Sequence, residues 1–193
     1  MIIGVTGGIA SGKSEVCRIL ESLGFVKIDA DVIAHDVLKN SEIVKEVVAR
    51  FGEQVLKDDD QLLIDRKKLG KIVFSDNNKM NILESITHPQ ITKQIESIIS
   101  NNKEKNFVIE AIELVSSGLI DLCDQLWVVH VDQEQQLKRL IENRGMSLED
   151  AMSRIKMQEN HDWSESDADR IIYSTEPIET MVKQVKDALE ISD

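Results

Sequence analysis

Residues 2–14 read Ile2-Ile3-Gly4-Val5-Thr6-Gly7-Gly8-Ile9-Ala10-Ser11-Gly12-Lys13-Ser14. Ile2–Thr6 is a short apolar run that stops at glycines, the pattern of a buried strand. After Ser14, the apolar residues Val16, Ile19, Leu20 and Leu23 recur at i, i+3, i+4 and i+7, which is helical spacing, and Gly24 follows as a stop. Between strand and helix lies Gly7–Ser14, which fits G-x-x-x-x-G-K-[ST]. Glycines let the backbone curl until successive N–H groups point inward at phosphate oxygens, and the following helix adds the positive end of its dipole. In such a P-loop, Lys13 reaches the β- and γ-phosphates of ATP and the Ser14 hydroxyl ligates Mg2+. Average composition yields the pattern by chance in roughly one chain in a hundred of this length, and here it also sits in the required strand–loop–helix context. The residues expected to hold the nucleotide are Gly8, Ala10, Ser11, Gly12, Lys13, Ser14 and, in the first turn of the helix, Glu15.

Outward from the loop, strands and helices alternate. Phe25–Ile28 reads as a second strand running into Asp29-Ala30-Asp31, Asn106–Glu110 as a third, Leu126–Val131 as a fourth and Arg170–Tyr173 as a fifth. Helices are predicted over Gln133–Arg144, Ser147–Glu159 and Pro177–Leu189. Val32 to Lys105 is mostly helical, with an apolar stripe at Ile91, Ile95, Ile98 and Ile99 and with Pro89 suited to a first turn. Alternation of this kind implies a parallel sheet covered on both faces. The expected fold is therefore α/β: a three-layer core over 1–31, 106–138 and 169–193, a helical substrate insertion at 32–105, and a lid at 139–168. Ser147–Ala168 is rich in charge and poor in aliphatics, which suits a mobile flap or a solvated helix pair.

Bulk properties narrow the class. The chain has 193 residues, 41% hydrophobic and 30% charged, as expected of one soluble domain. A net charge of −12 argues against general nucleic-acid binding and requires a local cationic site for any polyphosphate. No apolar run approaches the ~18 residues of a membrane helix, and no basic leader precedes the loop. Cys17 and Cys123 have neither metal-ligand nor disulfide spacing, so a cytoplasmic location is expected. Nothing in the pattern specifies an oligomeric state.

A GTPase needs Asn-Lys-x-Asp, and the nearest approach, Asn78-Lys79-Met80-Asn81, lacks the carboxylate. It also needs Asp-x-x-Gly, but none of the nine glycines has an aspartate three positions earlier. A small ATP-dependent kinase of metabolites remains. Such an enzyme needs a base for the acceptor hydroxyl and cations for the transferring charge. Asp31, just beyond the second strand, fits the base role, although this aspartate pair also suits helix capping. Glu110 ends the third strand, where it can hold Mg2+ through water or bind the acceptor. Arg139 and Arg144 can close over phosphates, and Arg154 shares a helical face with Gln158. His88 either contacts substrate or caps a helix. His35, His130 and His161 lack ligand-like spacing, and Trp127 and Trp163 are too far apart for a stacking platform.

Taken together, these residues resemble the dephospho-CoA kinases. Val5–Ser14 is similar to that family's P-loop, and Ile28-Asp29-Ala30-Asp31 to its aspartate turn. Asp65-Arg66-Lys67-Lys68-Leu69, His88-Pro89, Val108-Ile109-Glu110-Ala111, Gln136-Leu137-Lys138-Arg139, Arg154-Ile155 and Ala168-Asp169 follow in order. The resemblance implies transfer of the ATP γ-phosphoryl group to the ribose 3′-hydroxyl of dephospho-CoA, the last step of CoA synthesis. It makes Asp31 the general base, gives Lys13 and Ser14 the nucleotide and its Mg2+, and puts Arg139 in a phosphate clamp. The residues themselves offer Asp31, His88, Glu110 and Arg154 as candidates for binding the acceptor. Glu15, His35, Ser116, Ser164 and Ser174 depart from the usual pattern, where threonine, arginine, glutamate, a basic residue and asparagine are common. The alternatives are a nucleoside or nucleoside-monophosphate kinase, and a non-catalytic nucleotide-binding module.

Overall fold

From the N-terminus the chain runs β1 (Ile2–Thr6), α1 (Lys13–Ser22), β2 (Val26–Asp29), α2 (Ala30–Val37), α3 (Ser41–Phe51), α4 (Arg66–Val73) and α5 (Asn77–Ser100). It continues through β3 (Phe107–Glu110), β4 (Gln125–His130), α6 (Gln133–Arg144), α7 (Leu148–Met157), β5 (Arg170–Tyr173) and α8 (Ile178–Ala188). The computed structural model describes residues 1–157, 164–174 and 177–191. Gln158, His161 and Trp163, weighed above, lie outside the described residues. Two compact units make up the chain: Met1–Ile28 with Asn102–Asp193, and Asp29–Asn101.

The five strands lie in the order β2-β3-β1-β4-β5. β1 pairs in parallel with β3, setting Val5 opposite Glu110, and with β4, setting Thr6 opposite Val128; β4 pairs in parallel with β5. The α/β, five-stranded parallel sheet expected from the sequence is the sheet observed. Because side chains alternate along a strand, Ile3 and Val5 point to one face and Gly4 to the other. Ile3 and Val5 pack with Val16 and Leu20 of α1 and with Met181 and Val185 of α8. On the opposite face the space over Gly4 is filled. A Cβ there would stand 2.6 Å from a Leu114 methyl and 2.8 Å from the Cys123 sulfur. Glycine is what lets the 111–124 segment lie close against β1.

In the second unit, polar residues start each helix. Asp29 accepts from the Val32 N–H at the head of α2, Asn40 caps α3, Asp65 caps α4 and Asp76 caps α5. The expectation for Pro89 and His88 is corrected here. Pro89 lies inside the 24-residue α5, not in a first turn, so the half-buried His88 is a mid-helix residue and no cap. The helix starts upstream because Asp76 caps it, and it continues through the proline at the loss of one backbone hydrogen bond.

Candidate active site

Gly7–Gly12 leaves the carboxyl end of β1 and enters α1. Gly12 holds the cap position with φ 101°, and a Cβ there would stand 2.6 Å from Ser174 Oγ. A residue other than glycine would be strained twice, by backbone and by contact. Gly12 contributes no side-chain acceptor to the head of α1. A helix start of this kind suits an anion. The Lys13 ammonium donates to the Gly7 and Gly8 carbonyls at 2.7 and 3.1 Å, so it stands across the loop's own mouth.

Ser14 Oγ donates to Glu110 Oε1 at 2.6 Å, joining α1 to the end of β3. The other Glu110 oxygen pairs with the Lys27 ammonium at 2.6 Å, and the side chains are only 11% and 22% exposed. A nearly buried carboxylate requires such a countercharge, all the more in a chain of net charge −12. Behind this pair, burial pushes the Cys17 thiol above its ordinary range, and the Glu110 carboxylate pushes it further, so Cys17 remains a protonated, apolar filler. Burial and Asp124 push Cys123 up to about 12.

The second unit places Asp29 and Asp31 differently. Asp29 holds the cap of α2, whereas Asp31 lies exposed in the first helical turn. Capping is therefore the work of Asp29. Glu15 forms an ion pair with Arg18 along α1. Arg144 and Arg154 are exposed. Arg139 is engaged by the loop: Nη1 donates to the carbonyls of Ala10 and Ser11 at 3.1 and 3.3 Å and to Ser174 Oγ at 2.8 Å, and Nη2 to the Ser174 carbonyl at 3.1 Å. One turn earlier, Gln136 Nε2 donates to the Ile9 carbonyl at 3.0 Å.

Sequence reasoning gave no role to Lys27 or Gln136. A lysine inside the apolar run Phe25–Ile28 is the signal that a buried acid waits beside it. Gln136 stands three residues from Arg139, which puts both on one helical face.

A family model described as dephospho-CoA kinase matches residues 1–179. A dephospho-CoA kinase of Carboxydothermus hydrogenoformans is 42% identical over 193 residues, covering 98% of this chain and 93% of that one. The chain belongs to the dephospho-CoA kinase family. The structure of a Campylobacter jejuni dephospho-CoA kinase is similar with a TM-score of 0.61 at 32% identity, over 98% of this chain and 95% of that one. A Thermus thermophilus protein of known crystal structure reaches a TM-score of 0.84 at 27% identity, over 100% and 98% of the two chains. Membership of the dephospho-CoA kinase family makes the chain a phosphotransferase of coenzyme A biosynthesis with ATP as donor. Among the described residues, no helix is long and apolar enough to cross a membrane.

Proposed function

We propose that the chain transfers the γ-phosphoryl group of ATP to the ribose 3′-hydroxyl of dephospho-CoA, with the nucleotide held at Gly8–Ser14. The observation that carries this reading is the meeting of Ser14 and Glu110 at 2.6 Å beside a P-loop lysine. A hydroxyl and a carboxylate form an all-oxygen donor set, which suits a hard cation such as Mg2+. Ser14 would hold the ion directly and Glu110 through water. When bound, it neutralises charge on the β- and γ-phosphates.

The chain's own groups do the rest. The amides of Gly8, Ala10 and Gly12 and the Lys13 ammonium bind and orient the phosphates, so the γ-phosphorus faces its acceptor, while the Ser11 N–H closes the loop's bend on the Gly8 carbonyl. The Asp31 carboxylate takes the proton of the attacking 3′-hydroxyl, a role supported by its exposure and by the assignment of capping to Asp29. His88 and Arg154 are assigned to the acceptor. Glu15, paired with Arg18, contributes the edge of the nucleotide site. A cytoplasmic location accords with two free thiols.

The test is ADP release from ATP and Mg2+ with dephospho-CoA, beside a panel of nucleosides and nucleotides, with Lys13→Ala as blank. Turnover with dephospho-CoA alone, absent in the blank, is expected. Asp31→Asn should keep ATP affinity and lose transfer. Turnover of a panel nucleoside with dephospho-CoA inert would overturn the substrate, and full activity in Asp31→Asn would remove the base.

A further inference from the structure

The side of the P-loop that presents the Ile9, Ala10 and Ser11 carbonyls is held by one face of α6. Gln136 and Arg139 deliver hydrogen bonds to three consecutive carbonyls, those of Ile9, Ala10 and Ser11. The two residues are three apart and so lie side by side on the helix. Arg139 is itself fixed at its far side by the hydroxyl and carbonyl of Ser174, a buried residue just after β5. The same stretch of loop is seated on an apolar patch. Ile9 and Ala10 pack against Leu140, Ala151 and Ile155, the cluster that α6 and α7 share.

Ala10 explains why so much support converges there. Its φ is 56°, in the left-handed region that side-chain-bearing residues avoid. Such a conformation persists only where its surroundings hold it. In a trans peptide the C=O and the next N–H point in opposite directions. A donor on the Ile9 carbonyl therefore turns the Ala10 N–H to the other side, and a donor on the Ser11 carbonyl does the same for Gly12. The Ser11 N–H closes the bend on the Gly8 carbonyl at 3.2 Å. Ala10 and Gly12 are left as the amides aimed by α6.

We infer that Gln136 and Arg139 are positioning residues for phosphoryl transfer: gripping loop carbonyls from outside, they aim the Ala10 and Gly12 amides at the nucleotide's phosphates. Arg139 then acts through the loop, with its fork committed to carbonyl and hydroxyl acceptors, and a neutral glutamine shares the task. This differs from a phosphate clamp, in which the arginine's charge acts on the transferring group. Ser174 belongs to the same device as the anchor of the guanidinium.

The inference rests on nucleotide binding at this loop, so the first measurement is ADP binding to the wild-type chain by calorimetry. If wild type binds no ADP, the functional reading fails before this one is reached. With binding established, Gln136→Leu and Arg139→Gln are compared for ATP and ADP affinity, for KM of each substrate, and by the 31P resonance of the bound ADP β-phosphate. Thermal melts run alongside. Loss of one such hydrogen bond predicts a roughly three- to tenfold weakening in Gln136→Leu, by the same factor for ATP and ADP. KM for dephospho-CoA stays near wild type, and the β-phosphate resonance moves in both variants. Arg139→Gln weakens both nucleotides by the same larger factor. Unchanged ADP affinity and resonance in Gln136→Leu would overturn the inference. So would an Arg139→Gln enzyme that loses ATP at least tenfold while retaining ADP, because that outcome marks direct contact with the γ-phosphate. Should Arg139→Gln fail to fold, the Gln136→Leu readouts decide alone.

Discussion

Ser14 Oγ stands 2.6 Å from Glu110 Oε1, so the P-loop hydroxyl and the acid at the end of β3 share one hydrogen bond. The two are brought together by sheet register, since Glu110 pairs with Val5 just before the loop begins. Glu110→Gln keeps the shape and removes the charge. Outer-shell groups of this kind typically influence metal affinity by 10–100-fold. The expected result is an about tenfold or greater rise in the Mg2+ concentration for half-maximal activity, accompanied by a lower Tm because the pair with Lys27 is broken as well. A titration of activity against Mg2+ checks it.

Lys27 and Glu110 form a nearly buried ion pair, and removing one partner leaves the other charge without compensation. Lys27→Met should destabilise the chain by about 2–4 kcal/mol in urea denaturation. The double change Lys27→Met with Glu110→Gln should cost less than the single one, because no uncompensated carboxylate remains. An additive double variant would show that the pair contributes little.

Gly4 lies where β1 meets Leu114 and Cys123. Gly4→Ala introduces a methyl into a gap without room for it and should cost about 1–3 kcal/mol. Adding Cys123→Ala should recover part of that loss by removing the 2.8 Å contact with the sulfur. Equilibrium unfolding of the three chains measures both steps.

Asp65 caps α4, and the Lys68 N–H, aided by that of Lys67, holds its carboxyl below the ordinary 3.8. A carboxyl whose folded value is depressed contributes stability that is complete above its unfolded value and is lost as pH falls through the folded one. Asp65→Asn keeps the accepting oxygen and removes that slope. Urea midpoints of the two chains should therefore differ most at neutral pH and converge as acidification passes below 3.8 and through the depressed folded value.

How much of this was legible beforehand depends on how local the signal is. The loop, its flanking strand and helix, and Arg170–Tyr173 are written in contiguous residues, and their boundaries were readable to within a residue or two. The sequence favours Asp31 over Asp29 for the base, but two carboxylates two positions apart both remain candidate caps until backbone geometry assigns the hydrogen bond to Asp29. Pro89 misled for a similar reason. Proline favours a first turn, yet Asp76 had already started the helix well upstream. Lys27 carries no motif of its own, and the motif that holds Gln136 names no partner for it. Their partners, Glu110 and Ile9, are distant in sequence, and only the parallel crossovers of the sheet bring them near.

That distance orders events during synthesis. The P-loop motif leaves the ribosome well before Gln136, which grips Ile9 and follows 127 positions later, and the Ser174 anchor of Arg139 comes later still. Closing loops of that length carries an entropic cost that a tethered, partly made chain cannot recover until both ends are present. A nascent chain therefore displays the motif before it has the supports that shape it. Competence for nucleotide arrives only once β5 has emerged, so a ribosome-stalled fragment that stops short of Ser174 is expected to carry the signature of a kinase and bind nucleotide poorly.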